Sequence, residues 1–284
     1  MPSQTQQFTL PKSTPRSSKT AINIAGVLIY LYGIDELHPK QAQDTVVLFH
    51  IHGRTRDYHD GEDFAHQVLF ETRRHDTLSK GLVVATMDNR NHGTRAIDTV
   101  AVQDWKGGNP KHAQDMLSMM DGIVADIRIV MKFLQTYVEG RFNPTQFIIS
   151  GMSLGGHVAW NMLAEEPRLT AAIVIVGSPN LTDMMVERLH AAESDGSIDA
   201  SKWPLSIQKL YQERDESVAA INGKEILIMN GVLDNLVPSK FSDHWVGRYS
   251  DQNDVAFHVY ENTGHCVSFQ MMKRVIHWVY GQLN

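Results

Sequence analysis

Three side chains in this sequence could share the work of a nucleophilic reaction: Ser153, Asp234 and His265. Ser153 lies in Ser150-Gly151-Met152-Ser153-Leu154-Gly155-Gly156, behind the apolar run Phe147-Ile148-Ile149. Glycines two residues before and two after the serine remove the Cβ atoms that would clash where a strand turns abruptly into a helix. The serine can then occupy a strained turn with its hydroxyl exposed. A helix starting there directs its unpaired N–H groups back at the site, and the Leu154 N–H is placed to meet a developing oxyanion. A serine hydroxyl is a poor nucleophile at neutral pH unless a base takes its proton during attack. His265 can be that base, with Asp234 holding the imidazole and stabilising the imidazolium. A glycine-bracketed serine can also be a plain turn that packs a helix on a sheet, so context must decide.

The elements that would position these groups alternate along the chain. Residues 21–32 are β-rich, with Gly26 as a bend or turn, the pattern of edge strands entering a larger sheet. Val46-Val47-Leu48-Phe49-His50-Ile51 is a nearly unbroken apolar run, expected of a strand covered on both faces in a parallel sheet. It ends in His52-Gly53-Arg54. A helix is predicted over 62–74, with Phe64, Ala65, Val68 and Leu69 on one face. The strand 82–87 runs into Asp88-Asn89-Arg90-Asn91-His92-Gly93. Apolar residues recurring at three and four from Met116 to Leu134 predict a long helix over 114–138. After the serine turn come a strand at 171–176, another at 225–229, a helix opening near Pro238, a strand at 255–260 and a closing helix to about Tyr280. Such alternation implies an α/β fold: a mostly parallel sheet with helices on both faces.

Residues 180–222 interrupt the rhythm. Leu181, Met184, Met185, Val186 and Leu189 form one apolar stripe and Trp203, Leu205, Ile207, Leu210 and Tyr211 another, around a polar turn at 193–201. The segment reads as a helical insertion that caps the site, with Met184, Met185 and Trp203 as candidate substrate-binding residues. Connecting helices packed on the sheet are the alternative.

Reacting groups of an open parallel sheet belong at the carboxyl ends of its strands, where Ser153, Asp234 and His265 all fall. Their order and strand positions resemble the α/β-hydrolase fold superfamily over residues from about 22 to 280. Gly151-Met152-Ser153-Leu154-Gly155 is similar to its nucleophile elbow, Gly231-Val232-Leu233-Asp234 to its acid loop, and Gly264-His265 to its histidine loop. The resemblance implies an oxyanion hole from the N–H groups of Leu154 and Arg54. Members of the lipase type carry more glycines than His52-Gly53-Arg54-Thr55, a departure at the second donor. A metal-independent serine esterase without a cofactor, acting on a small-molecule ester, is the expected function. Amides, thioesters and lactones are alternative substrates, and an acyltransferase or a non-catalytic binding module keeps the same fold.

Other signals read as structure. His50-x-His52 with Asp57 and His59-Asp60 approaches a metal-binding pattern, but Arg54 stands where an aspartate is needed, and no metal is expected. Asp88 to Gly93 could contact substrate or fix the floor of the site. Arg54 and Arg56 could meet an anionic substrate or stay solvated. Cys266 is expected as a small apolar residue rather than a reactive thiol. Gly107-Gly108 and Gly155-Gly156 lack the dinucleotide-loop pattern.

The chain has 284 residues, 42% of them hydrophobic, enough for a full core in one domain over 21–284. A net charge of −6 with scattered basic residues recommends neither nucleic acid nor an anionic membrane surface as partner. A single cysteine excludes an internal disulfide, and no apolar run reaches a membrane span, so a cytoplasmic setting is expected. Residues 1–20, with Lys12, Arg16 and Lys19 among Ser, Thr and Pro, read as a flexible leader, a transit peptide being the alternative.

Overall fold

The computed structural model describes residues 7–74, 78–193 and 199–284. The β-rich N-terminal stretch splits into β1 (Lys19–Ile24) and β2 (Val27–Tyr32), paired antiparallel. The turn between them places Ala25 at φ 52° and Gly26 at φ 84°, the two left-handed residues that match the twist of a tight hairpin. After the short helix α1 (Pro39–Gln43) the chain alternates through β3 (Thr45–Ile51), α2 (Tyr58–Arg73), β4 (Gly81–Met87), α3 (His112–Tyr137), β5 (Pro144–Met152), α4 (Leu154–Glu165) and β6 (Leu169–Ile175). Two helices follow in succession, α5 (Leu181–Ala192) and α6 (Leu205–Ala219). The chain closes with β7 (Glu225–Gly231), α7 (Lys240–Tyr249), β8 (Asp254–Tyr260) and α8 (Phe269–Gln282).

The eight strands stand in the order β1-β2-β4-β3-β5-β6-β7-β8. β2 runs antiparallel to β1 and β4, and every other neighbouring pair is parallel. Every residue of β3 and β4 is buried. Their unbroken apolar runs are in fact two period-two stripes: Val47, Phe49 and Ile51 face one core, Val46 and Leu48 the other. The first core is covered by α3 through Met116, Met120, Ile123 and Ile127, by α4 through Val158 and Met162, and by α5, α6 and α7. The second is covered by α2 through Phe64, Val68 and Leu69, and by α8 through Met271, Met272 and Val275. The α3 methionines are therefore packing residues.

Three departures from the sequence reading have local causes. Helix α2 begins at Tyr58, earlier than its apolar stripe, because the Asp57 carboxylate accepts from the His59 N–H at 2.9 Å and Asp88 accepts from the Tyr58 N–H at 2.9 Å. A cap supplied from a distant strand end leaves no local signal. The second departure concerns the leader, whose residues 1–6 lie outside the described residues. Residues 7–18 do not trail away: the Phe8 N–H donates to Val267 O at 2.6 Å, its ring meets Phe269 edge-on at 5.3 Å, and the Ser17 N–H donates to His66 Nδ1 at 3.0 Å. The segment lies along α8 and α2, and Lys19 already belongs to β1. Third, α5 and α6 bury Met184, Met185, Leu189, Ile207 and Tyr211 in the first core. Within the polar turn expected between them, residues 194–198 lie outside the described residues.

Candidate active site

Ser153 is the single residue between β5 and α4, at φ 56° and ψ −114°, and its N–H donates to Ile175 O at 2.9 Å. The flanking glycines are required by contact. A Cβ on Gly151 would stand 2.1 Å from Gly155 O, and one on Gly155 would stand 2.0 Å from Ile51 O. Gly156, outside the five-residue motif, meets the same limit more mildly, at 3.0 Å from Ile175 O. Backbone from β3, β5 and β6 thus closes on the turn, with no room for side chains, and holds the serine in a conformation that L residues rarely adopt.

Asp234 follows β7 and His265 follows β8. The Leu236 and Val237 N–H groups both donate to Asp234 Oδ1 at 2.9 Å, leaving Oδ2 at 2.8 Å from His265 Nδ1. His265 Nε2 is in turn 2.8 Å from Ser153 Oγ. The Asp234 side chain is fully buried, while His265 remains partly open. A carboxylate facing Nδ1 keeps the proton on that nitrogen and turns the lone pair of Nε2 toward the hydroxyl, an arrangement able to take a proton from Ser153. Cys266, next in sequence, has its thiol pushed up by burial and by the Asp234 charge, which disfavours the reactive thiolate.

Leu154 opens α4, so its amide is one of those a helix leaves without an internal partner. Opposite, the end of β3 passes beside Ser153: a Cβ on Gly53 would be 3.2 Å from Met152 Sδ and 3.5 Å from Ser153 Cβ. Arg54 comes next in the chain. Its side chain donates to Val102 O at 2.7 Å and stands 3.7 Å from Asp104, anchoring the loop. His52 braces the same turn, since its Nε2 accepts the Asn89 N–H at 3.0 Å while the Asn89 amide donates to His52 O at 3.0 Å. Burial pushes the His52 ring down to about 4 and keeps it neutral. Asp88 accepts from Tyr58, from the Thr94 N–H at 2.8 Å and from the Thr94 hydroxyl at 2.7 Å. The polar loop after β4 therefore has its Asp88 carboxylate committed internally.

Two cavities flank the site. One, of about 80 Å³, is lined by Met152, His265, His52 and Gly53, with Gln7 and Phe8 of the N-terminal segment on its wall. The other, of about 150 Å³, lies between Arg54, Trp105, Arg188 and Leu236. Met184, Met185 and Trp203 line neither and sit in the first core, although Met185 Sδ is 3.9 Å from Arg188 Nη1. Sequence reasoning missed Arg188, which shares a helical face with Met184 and Met185 at spacings of four and three. It missed Phe8 too, hidden in a stretch read as flexible. His50 stacks on Phe64 at 3.7 Å, lies 3.0 Å from Ser150 Oγ, and is pushed down to about 3 by burial. No group of three or more His, Cys, Asp or Glu among the described residues is arranged to hold a metal ion.

The sheet order and the turn from β5 into α4 are those of the α/β-hydrolase fold, and the class the protein falls in is that of serine hydrolases. More narrowly, residues 116–283 match the prolyl oligopeptidase family, and the chain belongs to that family. It is similar to the putative esterase YitV of Bacillus subtilis, 26% identical over 149 residues that span 49% of this chain and 58% of that one. Among solved structures it is similar in fold to TT1662 from Thermus thermophilus (TM-score 0.66, 17% identity, covering 95% of this chain and 99% of that one). A Pyrococcus furiosus esterase superposes with a TM-score of 0.58 at 16% identity, covering 95% of this chain and 94% of its own. No helix among the described residues is long and apolar enough to cross a membrane.

Proposed function

We propose that the protein hydrolyses a carboxylic ester through an acyl-enzyme on Ser153. The observation that carries this reading is the relay of two 2.8 Å contacts from Asp234 through His265 to Ser153 Oγ. Ser153 Oγ attacks the acyl carbon while His265 Nε2 takes its proton. The N–H groups of Leu154 and Arg54 receive the oxyanion, and His265 gives the proton to the departing alcohol. Water, deprotonated by His265, then attacks the acyl-enzyme and releases the acid and Ser153. Asp234, held by two backbone N–H groups, orients the imidazole and offsets its positive charge. Helix α5 borders the cavity beside Arg54 through Arg188, Ala191 and Ala192, and the apolar wall at Met152 suits an apolar portion of the substrate.

The ester assignment draws on the putative esterase relative. Cleavage of a peptide bond by the same residues is the second reading, favoured by the family's description. The test is intact mass after exposure to a fluorophosphonate, which needs both an activated serine and a working oxyanion hole. One adduct on wild type and none on Ser153→Ala is the expected result. Absence of an adduct on folded wild type would remove the hydrolase mechanism in favour of a binding role. A panel of matched esters and peptide amides then separates the two readings, with ester turnover expected to dominate.

A further inference from the structure

The cavity beside Arg54 has a charge problem that the hydrolytic machinery does not explain. Its lining carries Arg54, Lys106 and Arg188 against a single carboxylate, Asp104. Arg188 is the unbalanced member. Its Nε and Nη2 donate to Leu236 O at 3.2 and 2.6 Å, and its Nη1 meets only the sulfurs of Met116 and Met185 at 3.9 Å. No carboxylate among the described residues lies within ion-pair distance of it. Burial and the positive charge of Arg54 push the Arg188 guanidinium down to about 10, the more distant Asp234 and Asp104 carboxylates offsetting only part of this. A half-buried guanidinium with no ion-pair partner among the described residues marks a place where a counter-charge would be stabilised. His112, buried and pushed down to about 3, is neutral and adds no further positive charge. Trp105 Nε1, on the same wall, is a buried donor without a partner among the described residues.

The location joins this cavity to the reaction. Arg54 follows the Gly53 turn that touches Ser153, and Asn235 and Leu236 directly follow Asp234. A group seated here would belong to a molecule whose ester lies at Ser153. We infer that Arg188 and Arg54 form a subsite for a carboxylate carried by the substrate, making the enzyme selective for esters that bear a free acid group. A guanidinium presents paired donors to a planar carboxylate, and such charge-assisted bonds are roughly twice as strong as neutral ones. The acid can sit on the acyl side, as in a dicarboxylic acid half-ester, or on the alcohol side, as in an acylated hydroxy acid.

This inference rests on the ester reading for its turnover arm, and a binding arm tests it independently. Ser153→Ala protein is titrated by calorimetry with monomethyl adipate against methyl pentanoate, which lacks only the carboxylate, and with 4-acetoxybutyrate against propyl acetate, related in the same way. In at least one pair the acidic ligand is expected to bind about 10- to 100-fold more tightly, and its advantage should shrink in 0.5 M salt. Equal affinities within both pairs would overturn the subsite. On wild type, kcat/KM is compared within two pairs: monomethyl adipate against methyl pentanoate, and 4-acetoxybutyrate against propyl acetate. A preference of the same size within the first pair places the acid on the acyl side, and within the second on the alcohol side; no preference in either overturns the subsite. Arg188→Met should bring the favoured ratio to near one, while Arg188→Lys, retaining the cation, should keep part of it. A ratio unchanged in a folded Arg188→Met protein would also overturn the assignment. If no ester in either pair turned over, the esterase reading would fall and the binding arm alone would decide the subsite.

Discussion

Gly231 and Thr263 approach so closely that a Cβ on Gly231 would lie 2.2 Å from the Thr263 carbonyl oxygen. The Leu233 N–H donates to the same oxygen at 2.9 Å. The loop carrying Asp234 is thereby fixed to the loop carrying His265, and the 2.8 Å contact between their side chains is set by backbone. Gly231→Ala must push these loops apart. It should cost about 1–3 kcal/mol and lower kcat together with stability. Gly264→Ala is the internal control, because beyond its chain neighbours a Cβ there would meet nothing nearer than Leu233 O at 3.9 Å, and its φ is not left-handed. Urea midpoints and kcat for both variants check the contrast; equal behaviour would contradict it.

Asp234→Asn separates orientation from packing. The amide oxygen can still accept from the Leu236 and Val237 N–H groups, so the loop should hold. The amide NH₂ then faces His265 Nδ1 and favours the tautomer whose Nε2 carries the proton, the wrong one for accepting from Ser153. A loss in kcat of ~10⁴-fold with little change in KM is expected from steady-state kinetics. An intact kcat would point to another carboxylate.

The parts of the site legible in the sequence were those specified by local stereochemistry. Gly151 and Gly155 announced the turn because only glycine fits beside the backbone there, and the apolar runs ending at Ser153, Asp234 and His265 announced strand ends. What stayed hidden depends on partners far along the chain. The start of α2 is set by Asp88, and residues 7–18 are held by α2 and α8. Met184 and Met185 carry the same apolar pattern whether they line a pocket or fill a core, and the fold buries them. Arg188 became visible only when α5 was packed beside the loop after Asp234.

The buried histidines make stability depend on pH. Burial holds His50 at about 3, His52 at about 4 and His112 at about 3, all below the ordinary value near 6.5. As pH falls through about 6.5 the unfolded chain binds protons at these positions and the folded chain does not. Each histidine therefore removes stability as pH falls, by up to about 1.4 kcal/mol per pH unit, until the folded pKa is reached. Asp60, Asp121 and Glu165, whose carboxyls burial pushes up, act in the opposite sense, but nearer the carboxylate range. Urea midpoints measured from about pH 7 to 5 should fall steadily; a flat profile would contradict the burial of neutral imidazoles.

Strain at Ser153 gives the last expectation. Ser153 holds φ 56° and ψ −114°, a conformation that costs a residue with a Cβ about 1–3 kcal/mol and that glycine adopts with little penalty. Ser153→Ala keeps the Cβ and the strain while deleting the hydroxyl. Ser153→Gly deletes both. At an ordinary ordered position glycine would be the less stable variant by roughly 0.5–1 kcal/mol, through the greater freedom of its unfolded chain. Here the order should reverse, with Ser153→Gly melting above Ser153→Ala while both lose activity by several decades. If alanine proved the more stable, the turn would be relaxed, and the close backbone of Ile51, Gly151 and Gly155 would have a packing role rather than that of holding a strained serine toward its base.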